Sequence, residues 1–500
     1  MAATSRYAPS RAPAWPLGIP GRRAAEFRSL AVPALIGAAL GAALLVAAIE
    51  HSIIVLAIPA GIGAAVLATR RSVAVTLAAF LLSGFVGTLK AFTSIPVASL
   101  VDLLLLALWL SAVATYLTGR AERRAWLWPA LIAPGLYLGI TAFEVLLTHP
   151  LSLGIQAFRA ASWYMAAFVL VAVAPWSERT HARIARGIAV IGLIVGAYCT
   201  LRWAVGASAK ETAVARAAQP GVQPGIQTRF FGSFLSANQL AGWTATMIPF
   251  CLAAAISWRG RWRLVAATAI PLLAIPLLAS TIRTGALAAA AGIAVVLALA
   301  LLLRRARGRI AAALVALLAI GVIGAGAYDL IIGGSGRQST RFANVLSPEK
   351  DLAYTLRQDR WSQAWDDIQE NPWGHGLGTS GGAAAKNPTG PVITPYIDSS
   401  YLVVGLQQGL MIMLLYIFAL VSLAIALARR ASLIADPGRA FMTIGACGTL
   451  VALIVLFYAG VYSEGTYITA AWIMVGLGVA QVTVRAVPTA PRARALREPG

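Results

Sequence analysis

Fourteen apolar runs, each about the length needed to cross the roughly 30 Å hydrocarbon core of a bilayer, follow one another along this chain. They fall near 30–49, 52–69, 72–89, 97–118, 126–147, 158–176, 187–206, 237–258, 264–280, 285–303, 310–332, 400–428, 440–461 and 466–484. With 59% of the 500 residues hydrophobic and 12% charged, there are more apolar side chains than soluble cores of this length can hide. A soluble globular fold is excluded. Because lipid satisfies no backbone polar group, the expected fold class is an all-α integral membrane protein with about 14 transmembrane helices.

Basic clusters recur after every second run: Arg70-Arg71, Arg120 to Arg124, Arg179 to Arg186, Arg259 to Arg263, Arg304 to Arg309 and Arg429-Arg430. Together with both tails they hold 27 of the 40 Lys and Arg but 5 of the 18 Asp and Glu, a net of +22, which leaves the other face of the membrane neutral. The positive-inside rule then places both termini and every cluster in the cytoplasm of a multi-pass protein of the cytoplasmic membrane. The basicity is accounted for by insertion and by anionic membrane lipids, so no nucleic-acid partner is expected. Cys199, Cys251 and Cys447 lie in apolar stretches without CxxC or Cys/His spacing, so neither a disulfide framework, a metal site nor a redox cofactor is encoded.

The chain divides into a disordered basic tail (1–28), N-terminal transmembrane helices (29–206), a transmembrane region with arginine motifs (207–332), an extracytoplasmic loop (333–399), C-terminal transmembrane helices (400–484) and a second cytoplasmic tail (485–500). A signal peptide over 22–49 is the competing reading of the start, but its apolar run is too long. The connection 207–236 begins as a linker-like Ala/Pro/Gln stretch, Lys210 to Gly225, and ends at Ser236, a plausible N-cap for the next span. In the long loop, Trp361, Ala364, Trp365 and Ile368 have the spacing of an amphipathic helix over 356–370, whose aromatic face is expected on the membrane surface. Asn371-Pro372 stops it. The Gly-rich stretch 372–382 that follows permits close backbone approach and amides exposed to an anion.

Charge at membrane depth is costly, so ionisable residues near the outer face mark function. Arg229, Arg283, Arg357 and Arg360 lie there, with Asp102, Glu144, Asp329, Asp398 and Glu464 at similar depth. Pairing of each arginine with one of these acids, merely holding helices together, is the plain alternative. The planar fork of arginine also suits phosphate oxygens, which favours a polyanion site.

At these residues the sequence resembles the O-antigen ligase and polysaccharide polymerase family of bacterial envelope membrane glycosyltransferases. The resemblance rests on Arg229 with Gly232 to Asn238, on Ser280 to Leu287 around Arg283, on Arg360 to Trp365 leading to Asn371 through Gly376, and on Asp398 to Leu402 followed by Gln408-Gly409-Leu410. It spans roughly residues 200–430. It implies a metal-independent enzyme that takes a glycan from a polyprenyl-diphosphate (undecaprenyl diphosphate) carrier at the outer face and joins it to a hydroxyl of a glycan or lipid acceptor. Family ligases carry His-Asn where Asp398-Ser399 stand here, an exchange that looks more like polymerases.

Carried onto these positions, the resemblance makes Arg283, Arg360 and Asp398 the candidate catalytic residues. Arg229, Arg283 and Arg360 would clamp the leaving diphosphate, and Asp398, if partly desolvated, would take the acceptor proton, with inversion at the anomeric carbon. Asn238, Arg357, His375 and Tyr401 are candidate substrate contacts, and His375 is the alternative base. Trp361, Trp365, Trp373 and Tyr401 would stack on sugars or form an interfacial belt. The polyprenyl tail would lie along 237–258 and 400–428. A transporter or lipid-linked sugar flippase is the competing class, but carriers place ionisable residues at mid-membrane. A peptidoglycan-type polymerase with an extracytoplasmic acid is a third.

Overall fold

The computed structural model describes residues 70–93, 96–117, 128–218, 229–302, 352–384, 397–460 and 465–483. Among them every regular element is helical. The helices are α1 (Arg70–Gly84), α2 (Val86–Phe92), α3 (Val97–Leu117), α4 (Trp128–Leu147), α5 (Leu151–Phe158), α6 (Tyr164–Val173), α7 (Glu178–Val205), α8 (Ala209–Ala217) and α9 (Ala237–Ser257). They continue as α10 (Arg261–Ala279), α11 (Arg283–Leu302), α12 (Leu352–Glu370), α13 (Gly381–Ala384), α14 (Ser400–Gln408), α15 (Leu410–Ala431), α16 (Pro437–Tyr458) and α17 (Thr469–Thr483). A π-helical turn, Arg159–Trp163, joins α5 to α6.

Seven of these helices are long and apolar enough to cross a membrane, or eight if the bent pair α1–α2 is one span, and three shorter apolar helices accompany them. The expected runs at 30–49, 52–69 and 310–332, most of the loop before α12 and both tails lie outside the described residues. Eleven of the fourteen expected runs therefore fall on described helix. Two runs are not continuous. The 72–89 run bends by 79° at Phe85, and the 400–428 run breaks at Gly409 (φ +86°), so α14 is a separate short helix and the span begins at Leu410.

α9 is the hub, almost wholly buried. Pro249 on α9, Gly292 on α11 and Gly448 on α16 meet at one point, where a Cβ on Gly292 would lie 2.7 Å from the Gly448 carbonyl oxygen and one on Gly448 would lie 2.8 Å from that of Gly292. Without a hydrophobic drive between helices in lipid, such small residues let backbones approach closely. The contacts also give directions. Gly285 faces Ala241 and Gly292 faces Pro249, so α9 and α11 run parallel. The Thr449 hydroxyl donates to the Thr246 carbonyl while Gly445 faces Phe250, so α9 and α16 run antiparallel. Tyr137 lies on Tyr416 while Thr141, four residues on, meets Gln408, just before α15 begins, so α4 and α15 run antiparallel. Each direction agrees with the alternation of the basic clusters.

Two loop expectations are corrected. The stretch from Lys210 is not a linker at its start: residues 209–217 form α8, capped by Ser208, whose hydroxyl accepts from the Glu211 amide while the Glu211 carboxylate accepts from the Ser208 amide. The amphipathic helix exists as α12, but its face is turned to protein. Ala364 and Ile368 are buried, Ile368 packs against Gly405 of α14, and the Trp361 ring lies 5.2 Å from that of Tyr458. Trp365 alone of that face stays substantially exposed. Ser236 does cap α9, accepting from the Gln239 amide at 3.2 Å.

Candidate active site at one end of the bundle

The C-terminal end of α16 is the level at which the candidate residues gather. In the antiparallel register of α9 with α16, Asn238 stands level with Phe457; in that of α11 with α16, Arg283 stands level with the same turn. The Ser400 hydroxyl and amide both donate to the Gly460 carbonyl, at 2.9 and 3.2 Å, which brings Asp398, two residues earlier, to this end as well. Trp361 on Tyr458 adds α12 and with it Arg357 and Arg360. Arg283 is half-buried at the first turn of α11, whereas Arg229, Asn238 and Arg360 are exposed.

Arg357 and Asp398 are in direct contact. The Arg357 Nη2 donates to Asp398 Oδ2 at 3.0 Å, with the two side chains 35% and 54% exposed. Asp398 is thus an ion-paired, half-exposed carboxylate. What Arg357 supplies is orientation. Arg360, three residues on, projects about 5–6 Å from Arg357 on the same helix and has no ion-pair partner among the described residues.

Acids at similar depth are engaged separately. Asp102 accepts from the Arg159 Nε at 2.5 Å. Glu144 accepts from the Gln408 Nε2 at 2.6 Å, and the same amide donates to the Thr141 hydroxyl at 3.0 Å. Asp329 and Glu464 lie outside the described residues. Arg357 is therefore paired with one of these acids, and so is Arg159, which sequence reasoning did not single out.

His375 and its glycines do something other than expected. The Leu406 and Gln407 carbonyls near the end of α14 accept the His375 and Gly376 amides, each at 2.8 Å, and the Pro372 carbonyl accepts the Leu410 amide at 2.9 Å. The Gln407 side chain completes the joint, its Oε1 accepting from the Gly378 amide at 3.3 Å and its Nε2 donating to the Ser380 carbonyl at 2.5 Å. The His375 and Gly376 amides are committed to orphan helix carbonyls and the Gly378 amide to the Gln407 side chain, so the anion-facing role expected of the turn is not available to them. Close approach is what the glycines serve: a Cβ on Gly409 would lie 2.3 Å from the Pro372 oxygen, and one on Gly374 2.5 Å from the Gly409 nitrogen.

The His375 ring pairs with Asp367, Nε2 to Oδ1 at 2.9 Å, and Asn371 donates to the same oxygen at 3.1 Å. Asp367 and Arg357 stand ten residues apart on α12, about 15 Å along the axis at 1.5 Å per residue. The two candidate bases, His375 and Asp398, therefore attach to opposite ends of one helix. Tyr401 is likewise placed for packing: its hydroxyl donates to the Ile454 carbonyl at 3.0 Å and its ring lies 6.0 Å from that of Tyr416. Trp373, at 87% exposed, is the aromatic left facing outward.

Arg229 opens a segment pinned over the α1–α2 bend. The Ser233 carbonyl accepts the Gly87 and Thr88 amides and its hydroxyl donates to the Gly84 carbonyl at 2.6 Å. Behind it lies a buried network missed from sequence. Glu211 is ion-paired with Arg202 and accepts from the Tyr198 hydroxyl at 2.7 Å and the Thr88 hydroxyl at 3.2 Å. The Ser208-x-x-Glu211 spacing was the signal that could have revealed it.

Among curated proteins, none matches the chain. A family model matches residues 269–417, a little under a third of the chain, from the second half of α10 through the Arg283 turn and α12 into α15. Arg229 and Asn238 fall outside that match, while Arg283, Arg357, Arg360, His375, Asp398 and Tyr401 fall within it. The matching model is that of the O-antigen ligase family, and the matched stretch takes in Arg283, Arg357, Arg360 and Asp398 at the gathered end of the bundle.

Proposed function

We propose that the protein transfers a glycan from a polyprenyl-diphosphate carrier to an acceptor hydroxyl at the outer face of the cytoplasmic membrane, without a metal ion, as a polysaccharide polymerase or ligase. The observation that carries this is that Arg283, Arg357, Arg360 and Asp398 stand at one end of the helical bundle and inside the matched ligase segment. With the basic clusters facing the cytoplasm, that end faces outward.

Three chemical needs follow from breaking a glycosyl–phosphate bond. The leaving diphosphate gains negative charge, which Arg283, Arg360 and Arg229 would offset through charge-assisted hydrogen bonds. The acceptor hydroxyl must be aligned and lose its proton to the Asp398 carboxylate, held in one orientation by Arg357. Attack from the face opposite the departing diphosphate gives single displacement, so the new linkage is inverted. The carrier's tail would lie on the apolar sides of α9 and α15, and Trp373 is the aromatic best exposed to meet a sugar face.

Replacing Arg283 or Arg360 by Ala tests the clamp. Each variant should insert at wild-type level and lose transfer by about 100-fold or more, the scale of removing one preorganised charge-stabilising donor. A variant with wild-type turnover would remove that arginine from the clamp.

A further inference from the structure

Thr281 has φ +56°, and among the described residues no other non-glycine residue has a positive φ. Left-handed backbone is the ordinary place of glycine after a helix end, and a β-branched residue there is a true outlier. It sits two residues before Arg283, in a reversal of only three residues between α10 and α11.

That turn is unusual in a second way, since Ser280, Thr281 and Ile282 are all buried, at 0%, 8% and 6% exposed. Its bonds are local. The Ser280 hydroxyl donates to the Leu277 carbonyl at 2.6 Å and accepts from the Ile282 amide at 3.3 Å, and the Thr281 amide donates to the Leu278 carbonyl at 3.0 Å. Just beyond Arg283, Gly285 lies so close to α9 that a Cβ would stand 2.8 Å from that of Ala241. Arg283 is thus bracketed by a pinned turn before it and a tight helix contact after it.

We propose that Thr281 is a positioning residue for Arg283: its buried, branched side chain, held in left-handed backbone, locks the turn that sets where the guanidinium enters the outer site. This rests on Arg283 contacting the leaving diphosphate. Glycine at this position would satisfy the backbone more readily, so a turn selected for stability alone has no need of threonine. Threonine contributes stiffness at χ1 and a filled space that glycine lacks.

The test uses the purified full-length protein with the undecaprenyl-diphosphate-linked glycan fraction extracted from a deletion strain of the native host, comparing Thr281→Gly, Thr281→Asn and Thr281→Val. Thr281→Gly and Thr281→Asn, which accept left-handed backbone without a branch, should keep a Tm no lower than wild type yet lose at least tenfold in kcat with KM for the lipid donor changed less than threefold. Thr281→Val, which restores the branch, should recover kcat to within threefold of wild type. Wild-type kcat in the glycine variant, or a valine variant as slow as glycine, overturns the positioning role while leaving the proposed reaction standing. An inactive wild type would instead remove the proposed reaction itself.

Discussion

The Arg357 guanidinium holds the Asp398 carboxylate at 3.0 Å across the gap between α12 and the start of α14, tying α12 to the C-terminal helices by a pair that stays in contact with water. A half-exposed pair of this kind adds no more than about 1 kcal/mol to folding. Its value is therefore in aim rather than in stability. Asp398→Asn should lower transfer by about 100-fold or more, within the range of a lost general base, with unchanged thermal unfolding. Arg357→Ala should lower it less, and the double variant should be no slower than Asp398→Asn alone, because both changes act through one carboxylate. Steady-state rates on the four proteins decide this; full rate in Asp398→Asn would end its role as base.

His375 faces Asp367, at the far end of α12 from Asp398, and the docking of its turn is done by backbone amides. His375→Ala should keep transfer within about tenfold of wild type and lose less than about 1 kcal/mol of stability. A loss as deep as that of Asp398→Asn would return the histidine to the reaction centre.

Gly409 is where the break between α14 and α15 meets the Pro372–Gly376 turn. Its φ is +86°, and a Cβ added there would stand 2.3 Å from the Pro372 oxygen, so there is no room for a side chain. Gly409→Ala should cost more than about 2 kcal/mol, since the left-handed backbone alone accounts for about 1–2 of it, and should expose the turn to proteolysis. Limited proteolysis and thermal unfolding in detergent would show either outcome.

Glu211 is nearly fully buried and ion-paired to Arg202, so truncating it strands a charge. Glu211→Ala should destabilise by about 3–5 kcal/mol and loosen the segment that carries Arg229, which hangs from Thr88 and Ser233. Hydrogen exchange of residues 229–236 should rise with it; unchanged protection there would disconnect the network from Arg229.

The described helices, and the relative directions of α9, α11 and α16, were legible because the runs are apolar over spanning length and each second connection is basic, and both signals are local. The Ser236 cap and the stop at Asn371-Pro372 were legible for the same reason. The break at Gly409 was not, because apolar stretches flank Gln407-Gln408-Gly409 on both sides and the cause is remote: the Pro372 turn that occupies the freed backbone groups. The direction of the α12 face was misjudged because Trp361 and Ile368 suit a membrane surface and a protein groove equally; Tyr458 and Gly405 decide between them. Arg159 escaped notice because it lies within an apolar run, and the Asp102 that binds it is 57 residues away. Of the site, Arg283, Arg357, Arg360 and Asp398 were readable as charges set at the ends of apolar runs or in the loop between them, whereas the contact of Arg357 with Asp398 depends on how α12 packs.

The most direct test is turnover by the purified chain in detergent, with a chelator present and no ion gradient, on a polyprenyl-diphosphate-linked glycan and an acceptor. The expected result is release of polyprenyl diphosphate matched mole for mole by a new glycosidic linkage of inverted anomeric configuration. No release under these conditions, with the same protein moving the intact lipid-linked glycan across the bilayer of sealed vesicles, would contradict it and make the chain a carrier.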